Sequence, residues 1–122
     1  MLVPRDEARV RERASEVRAE YGVAVEVLVA DLVERADPVE RADLVVVEAR
    51  FVASGADRVT VLVNDAGFGL LKPFDDNPID DEQQLLDLLV TAPMRLAHSV
   101  LGQVLGSGCG TIVNIASVVG YT

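Results

Sequence analysis

The chain has 122 residues, half of them apolar, which is enough for one domain with a buried core and too few for two. Its formal charge of −9, from 11 basic and 20 acidic side chains, argues against nucleic acid or an anionic membrane as a partner, because both call for a basic surface. The one cysteine, Cys109, rules out an intrachain disulfide and has no nearby Cys or His with which to hold a metal.

The first residues, Met1–Glu7, lack the basic-then-apolar pattern of a signal peptide, and no apolar run is expected to reach the length of a membrane span. A soluble cytoplasmic protein is the expectation. After a short apolar start at Leu2-Val3, residues 6–21 carry Val10, Ala14, Val17 and Tyr21 at helical spacing, and Gly22 can end that helix. Val23–Ala30 (VAVEVLVA) is predicted as a strand. Asp37-Pro38 opens a second helix that runs to about Ser54-Gly55, although its Val45-Val46-Val47 run resembles a strand.

Val59–Val63 (VTVLV) is predicted as the next strand, Asn64–Gly69 as a turn, and residues 70–78 as a loop broken by Pro73 and Pro78. A long helix covers residues 80–105, with Pro93 expected to kink it. It carries two apolar stripes. One holds Leu85, Leu89, Leu96, Val100 and Val104; the other holds Leu86, Val90, Ala97 and Leu101. Two stripes imply burial against the sheet on one side and a partner helix on the other, or a helix sunk deeper in its own domain. Gly106–Gly110 reads as the loop ending this helix, and Thr111–Ala116 (TIVNIA) is predicted as the last strand.

Strands alternating with crossover helices imply a single α/β domain, 1–122, with a parallel sheet and right-handed connections. In such sheets ligands bind beyond the carboxyl ends of the strands. That rule selects Arg5, Asp31, the Asn64–Gly69 turn and Ser117. Each has an ordinary structural alternative. The Asn64-Asp65-Ala66-Gly67 stretch lets a ligand approach the backbone closely, yet it would also serve as a simple polar turn. Asp31, followed by Leu32, can accept from an adenine amino group or a ribose hydroxyl, or can cap a helix. Arg5 can fork onto a 2′-phosphate, or be one more solvated arginine beside Arg9, Arg11, Arg13 and Arg18. Ser117 has no GxSxG elbow. The only histidine, His98, lies inside the long helix, which argues against a Ser-His hydrolase. No GxGxxG or GxxxxGK[ST] phosphate loop is present.

Taken in order, these stretches resemble the classical short-chain dehydrogenase/reductase family across nearly the whole chain. Val61–Gly69 resembles its NNAG motif, with Asp65 in place of the second Asn. Gly110–Gly120 resembles the strand carrying the catalytic serine. Ala30-Asp31-Leu32 resembles the adenine-contacting Asp-Leu, and Leu2–Arg5 the strand end whose arginine marks NADP preference. The resemblance implies a partial Rossmann-like, doubly wound parallel sheet and hydride transfer between NADP (NAD as the alternative) and a small-molecule carbonyl or alcohol. It implies Ser117 as the catalytic serine, and Arg5, Asp31, Leu32, Asn64, Ala66 and Gly67 as cofactor-binding. A homo-oligomer through helix 80–105 is expected, as is a non-catalytic interaction module as the alternative function.

The departures are specific. The family's glycine-rich TGxxxGxG turn belongs to a first strand expected before Leu2, and its YxxxK pair is expected roughly a dozen residues beyond Ser117. Neither is among these 122 residues. Tyr121 lies too close to Ser117, and Lys72 is the only lysine. Leu89 stands where the family's relay asparagine would fall. The expectation is a chain truncated at both ends, lacking the first strand and the C-terminal part, and inactive alone.

Overall fold

A computed structural model describes residues 1–3, 5–33, 42–52 and 58–116. The chain divides into two compact units, Met1–Val47 and Glu48–Thr122.

In the first unit, helix α1 spans Glu7–Tyr21. Asp6 caps it: its carboxylate accepts from the Ala8 N–H at 3.1 Å and the Arg9 N–H at 3.3 Å. Gly22 ends it in the left-handed conformation at φ 64°, and its N–H donates to the Arg18 carbonyl at 3.0 Å. Ala14 is the one fully buried residue of this helix. The Arg18 side chain donates to the Val25 carbonyl and so ties the helix to the segment that follows.

That segment is not the eight-residue strand the sequence predicts. Only Val27 pairs, in a parallel bridge with Leu2. The Leu2 N–H donates to the Glu26 carbonyl at 2.8 Å, and the Leu28 N–H to the Leu2 carbonyl at 2.9 Å. The reason is that a strand needs a ladder, and the described partner here is residues 1–3 alone. The apolar run supplies the extended propensity but not a second row of hydrogen bonds.

Helix α2 spans Ala42–Val52, and the unit boundary falls inside it. The Val45-Val46-Val47 run is helical. Leu44, Val47 and Phe51 recur at helical spacing and are buried, while Val45 and Val46 are exposed. The predicted start at Asp37-Pro38 and end at Ser54-Gly55 lie outside the described residues.

In the second unit, β1 (Val61–Asn64) and β2 (Thr111–Asn114) pair in parallel, Val61 with Thr111 through to Asn64 with Asn114. The Thr111 N–H donates to the Thr60 carbonyl and the Ile115 N–H to the Asn64 carbonyl, each at 2.9 Å. A short 3₁₀ turn, Phe74–Asp76, lies in the connection after β1. The crossover then runs through α3 (Ile79–Leu86), a π-helical turn at Asp87–Thr91, and α4 (Ala92–Ser107). Pro93 explains the wide turn. It has no N–H for the Leu89 carbonyl, and its ring would clash with that carbonyl in a regular helix. The chain accommodates this by letting the Ala92 N–H reach back to the Asp87 carbonyl. The predicted kink is therefore a π turn just before the proline.

α4 packs on both strands. Ala92, Leu96 and Val100 are buried, and Leu62 of β1 is buried beside them in the unit's core. Of the two predicted apolar stripes, Leu96 and Val100 sink into the core while Leu86, Val90 and Leu101 stay exposed. Polar contacts tie α4 to the end of α2 and to the approach to β1. Arg95 and Glu48 form a forked pair at 2.5 and 2.6 Å. The hydrogen bond to Glu48 outweighs burial and holds the Arg95 guanidinium above its ordinary pKa. The Gln103 amide donates to the Phe51 carbonyl and accepts from the Val59 N–H at 3.1 Å. Gly108, at φ 62°, ends α4.

By length and composition alone, Ile79–Ser107 could cross a membrane, which corrects the expectation that no apolar run is long enough. Its seat against β1 and β2 accounts for the buried part of that apolar content, Ala92, Leu96 and Val100.

Candidate cofactor and active site

The selected residues that the structure describes follow the Leu2–Val27 bridge in the first unit and β1 in the second. In the first, Arg5 comes three residues after Leu2 and Asp31 four residues after Val27, so both follow the parallel bridge on its carboxyl side. Among the described residues the exposed Arg5 guanidinium makes no ion pair or hydrogen bond. Neighbouring arginines on α1 differ: Arg11 pairs with Glu7, and Arg13 with Glu16.

Asp31 is half-buried and its carboxylate turns back on its own backbone, where Oδ1 accepts from the Val33 N–H at 3.0 Å. This closes the Leu32-Val33 turn. The Asp31 N–H donates to Oδ2 of Asp43, in the first turn of α2, at 2.8 Å. Two groups stay open among the described residues: Oδ2 of Asp31 and the N–H of Leu32. They make an acceptor and a donor on one turn. The Watson–Crick edge of adenine offers the complement, a 6-amino donor beside an N1 acceptor. A guanidinium such as that of Arg5, which follows the other side of the bridge, is the group that forks onto a phosphate.

In the second unit, Asn64 and Asn114 end the paired strands at equivalent register, and Nδ2 of Asn64 donates to Oδ1 of Asn114 at 2.8 Å. The bond spans the strand ends from which the exposed Ala66-Gly67 turn departs. Leu89, in the π turn, lies over that turn. A Cβ built at Gly67 would meet a Leu89 methyl at 3.4 Å, an ordinary contact that marks how closely helix and turn approach. The position matched to a relay asparagine is thus an apolar side chain resting on the turn. Ser117 lies outside the described residues.

Two functional contacts were not singled out from sequence: Asn114 as the partner of Asn64, and Asp43 as the acceptor for Asp31. The first left a signal, since both strands end in the same way, VLVN and TIVN. The second left none, because an acid near a helix start is too common to point at a residue twelve positions away.

Parallel strands joined by a crossover helix define an α/β protein, a class in which ligands bind beyond the carboxyl ends of the strands. The comparisons make that specific. The family model described as short chain dehydrogenase matches residues 1–122, and the chain belongs to that family. Among solved structures it is similar to a short-chain dehydrogenase from Sphingobium yanoikuyae in complex with NADPH. The two are 40% identical, with a TM-score of 0.87, covering 99% of this chain and 44% of that one. It is similar also to a bulky-bulky ketone specific alcohol dehydrogenase from Comamonas testosteroni, at 36% identity and TM-score 0.85, covering 98% and 45%. A very-long-chain 3-oxoacyl-CoA reductase of Laccaria bicolor is 30% identical over 121 residues, 98% of this chain and 34% of that protein. The chain thus spans half or less of the length of these relatives, and within that span the partial Rossmann-like fold is common to them.

Proposed function

We propose that these residues form the adenosine and ribose side of the cofactor site of an NADP-preferring oxidoreductase, cytoplasmic, acting on a small carbonyl or alcohol. The observation that carries the reading is the set of groups open among the described residues just past the Leu2–Val27 bridge: the Arg5 guanidinium, Oδ2 of Asp31 and the Leu32 N–H. Arg5 would hold a 2′-phosphate by a forked contact, which favours NADP over NAD. Asp31 and Leu32 would hold the base. Ala66 and Gly67, small and exposed after β1, would let the cofactor run close to the backbone, with Asn64 anchoring the turn's start. When bound, the cofactor supplies the hydride to or from the carbonyl carbon. Ser117 would donate a hydrogen bond to the substrate oxygen. The 122 residues hold no tyrosine–lysine pair at the required spacing, so the chain by itself should bind nucleotide without turning over substrate. Titrating the chain into NADPH and following nicotinamide fluorescence, with carbonyl reduction assayed in parallel, tests both parts. Absence of binding removes the cofactor reading, and robust turnover removes the inactivity claim.

A second reading rests on the surface of the long helix. Val90, Met94, Leu101 and Leu105 share its solvent face and are 55%, 62%, 41% and 70% exposed. Exposed apolar side chains in one stripe favour pairing with a second copy, whether or not catalysis follows. Light scattering across a concentration series discriminates, and a strictly monomeric folded chain removes this reading.

A further inference from the structure

We infer that Asp43 is a positioning residue for base recognition, fixing the Asp31–Val33 turn so that it presents its open acceptor and donor in one geometry. The inference rests on the cofactor reading above and adds a residue to it.

Asp31 carries two tasks that conflict unless something else holds the backbone. Its Oδ1 already accepts from the Val33 N–H, which leaves Oδ2 as the oxygen without a partner among the described residues. The direction of that oxygen follows the placement of the Asp31 Cα, from which the peptide carrying the Leu32 N–H also leaves, and the Asp31 N–H on the preceding peptide is the handle that fixes it. On the ladder side the nearest paired residue is Val27, four positions back, and Asp31 itself has no strand partner among the described residues. Its N–H donates to Asp43 Oδ2 at 2.8 Å, twelve residues on and half-buried in α2. Asp43 therefore locks Asp31 from the backbone side while Val33 locks it from the side-chain side.

Charge argues that the acceptor oxygen is what matters at position 43. A second carboxylate beside Asp31 is repulsive in a chain already at −9. A neutral acceptor of the same shape should do the same positioning with less repulsion. Asparagine at 43 is thus expected to substitute fully, and alanine not at all.

The test uses adenosine 5′-monophosphate and inosine 5′-monophosphate as probes, measured by calorimetric titration. Hypoxanthine reverses the edge pattern, presenting an acceptor at C6 and a donor at N1, so the ratio of the two affinities reads the geometry of the turn. Wild type should prefer the adenine nucleotide. Asp43→Ala should weaken adenine binding about tenfold, leave inosine binding unchanged and erase the preference, while Asp43→Asn keeps it. A merely structural role would lower thermal stability and leave the ratio intact. Amide hydrogen exchange on the wild type gives a reading that needs no variant: the Asp31 amide should be protected and the Leu32 amide not. Adenine preference that survives Asp43→Ala, or an unprotected Asp31 amide, overturns the inference and leaves the cofactor reading standing. A wild type that binds neither nucleotide overturns both.

Discussion

Val100 and Leu105 sit five residues apart on α4, and the fold assigns them opposite energetic roles. Val100 is fully buried against the β-pair, whereas Leu105 is 70% exposed. Val100→Ala removes two methyl groups, about 1.6 kcal/mol of transfer free energy, and leaves a cavity worth about 1 kcal/mol more. Alanine's higher helix propensity returns about 0.5 kcal/mol. The net cost is about 2 kcal/mol. Leu105→Ala removes more carbon, but most of it already faces water, so its cost should stay below about 0.7 kcal/mol. Urea unfolding followed by circular dichroism reads both. With a slope of about 2 kcal/mol per molar, Val100→Ala should lower the midpoint by about 1 M and Leu105→Ala by less than half that, at unchanged slope. Equal losses would refute the seating of α4. A Leu105 loss as large as that of Val100, growing with protein concentration, would mean that the exposed stripe is covered by another copy.

Two further contacts in the second unit can be probed by substitution. A Cβ at Gly110 would come within 2.6 Å of a Val104 methyl, so Gly110→Ala should cost about 1–3 kcal/mol of stability, part of it recovered by Val104→Ala in the same chain. Additive effects in that double variant would contradict the contact. Asn64→Ala and Asn114→Ala should each cost about 1 kcal/mol, and a double-mutant cycle should return a coupling of about 1 kcal/mol, because the two amides bond each other. A coupling indistinguishable from zero would contradict the bond.

How much of this was legible in the sequence differs from element to element. α1 was readable almost to the residue, because its spacing and Gly22 are local signals that agree, while the Asp6 cap was not singled out. β1 and β2 were readable as apolar runs, with ends off by one or two residues, since hydrogen-bond pairing and not composition sets where a ladder stops. Val23–Ala30 shows the limit. Its composition is that of a strand, yet pairing is a property of the partner, and the partner is short. The π turn was legible only as a kink. Pro93 announces a broken hydrogen bond, but whether the helix bends or widens depends on what the helix rests upon. Likewise, the helix carries two apolar stripes, and nothing in their spacing tells which one meets the sheet. At the candidate site, the strand-end rule selects Arg5, Asp31 and Asn64 without help from packing. Asn114 and Asp43 act on them across fifty and twelve residues, and contacts of that range are made by the fold.

The central claim is that the strand end bearing Arg5 and Asp31 holds the adenosine 2′-phosphate of NADP. Calorimetric titration of NADPH and NADH into the wild type and an Arg5→Ala variant addresses it most directly. The account predicts tighter binding of NADPH than NADH by the wild type. It also predicts a loss of about tenfold or more for NADPH alone in the variant, because a charge-assisted forked contact disappears while the base contacts remain. Equal affinities for the two cofactors in the wild type, or an Arg5→Ala variant that keeps the preference, would contradict it.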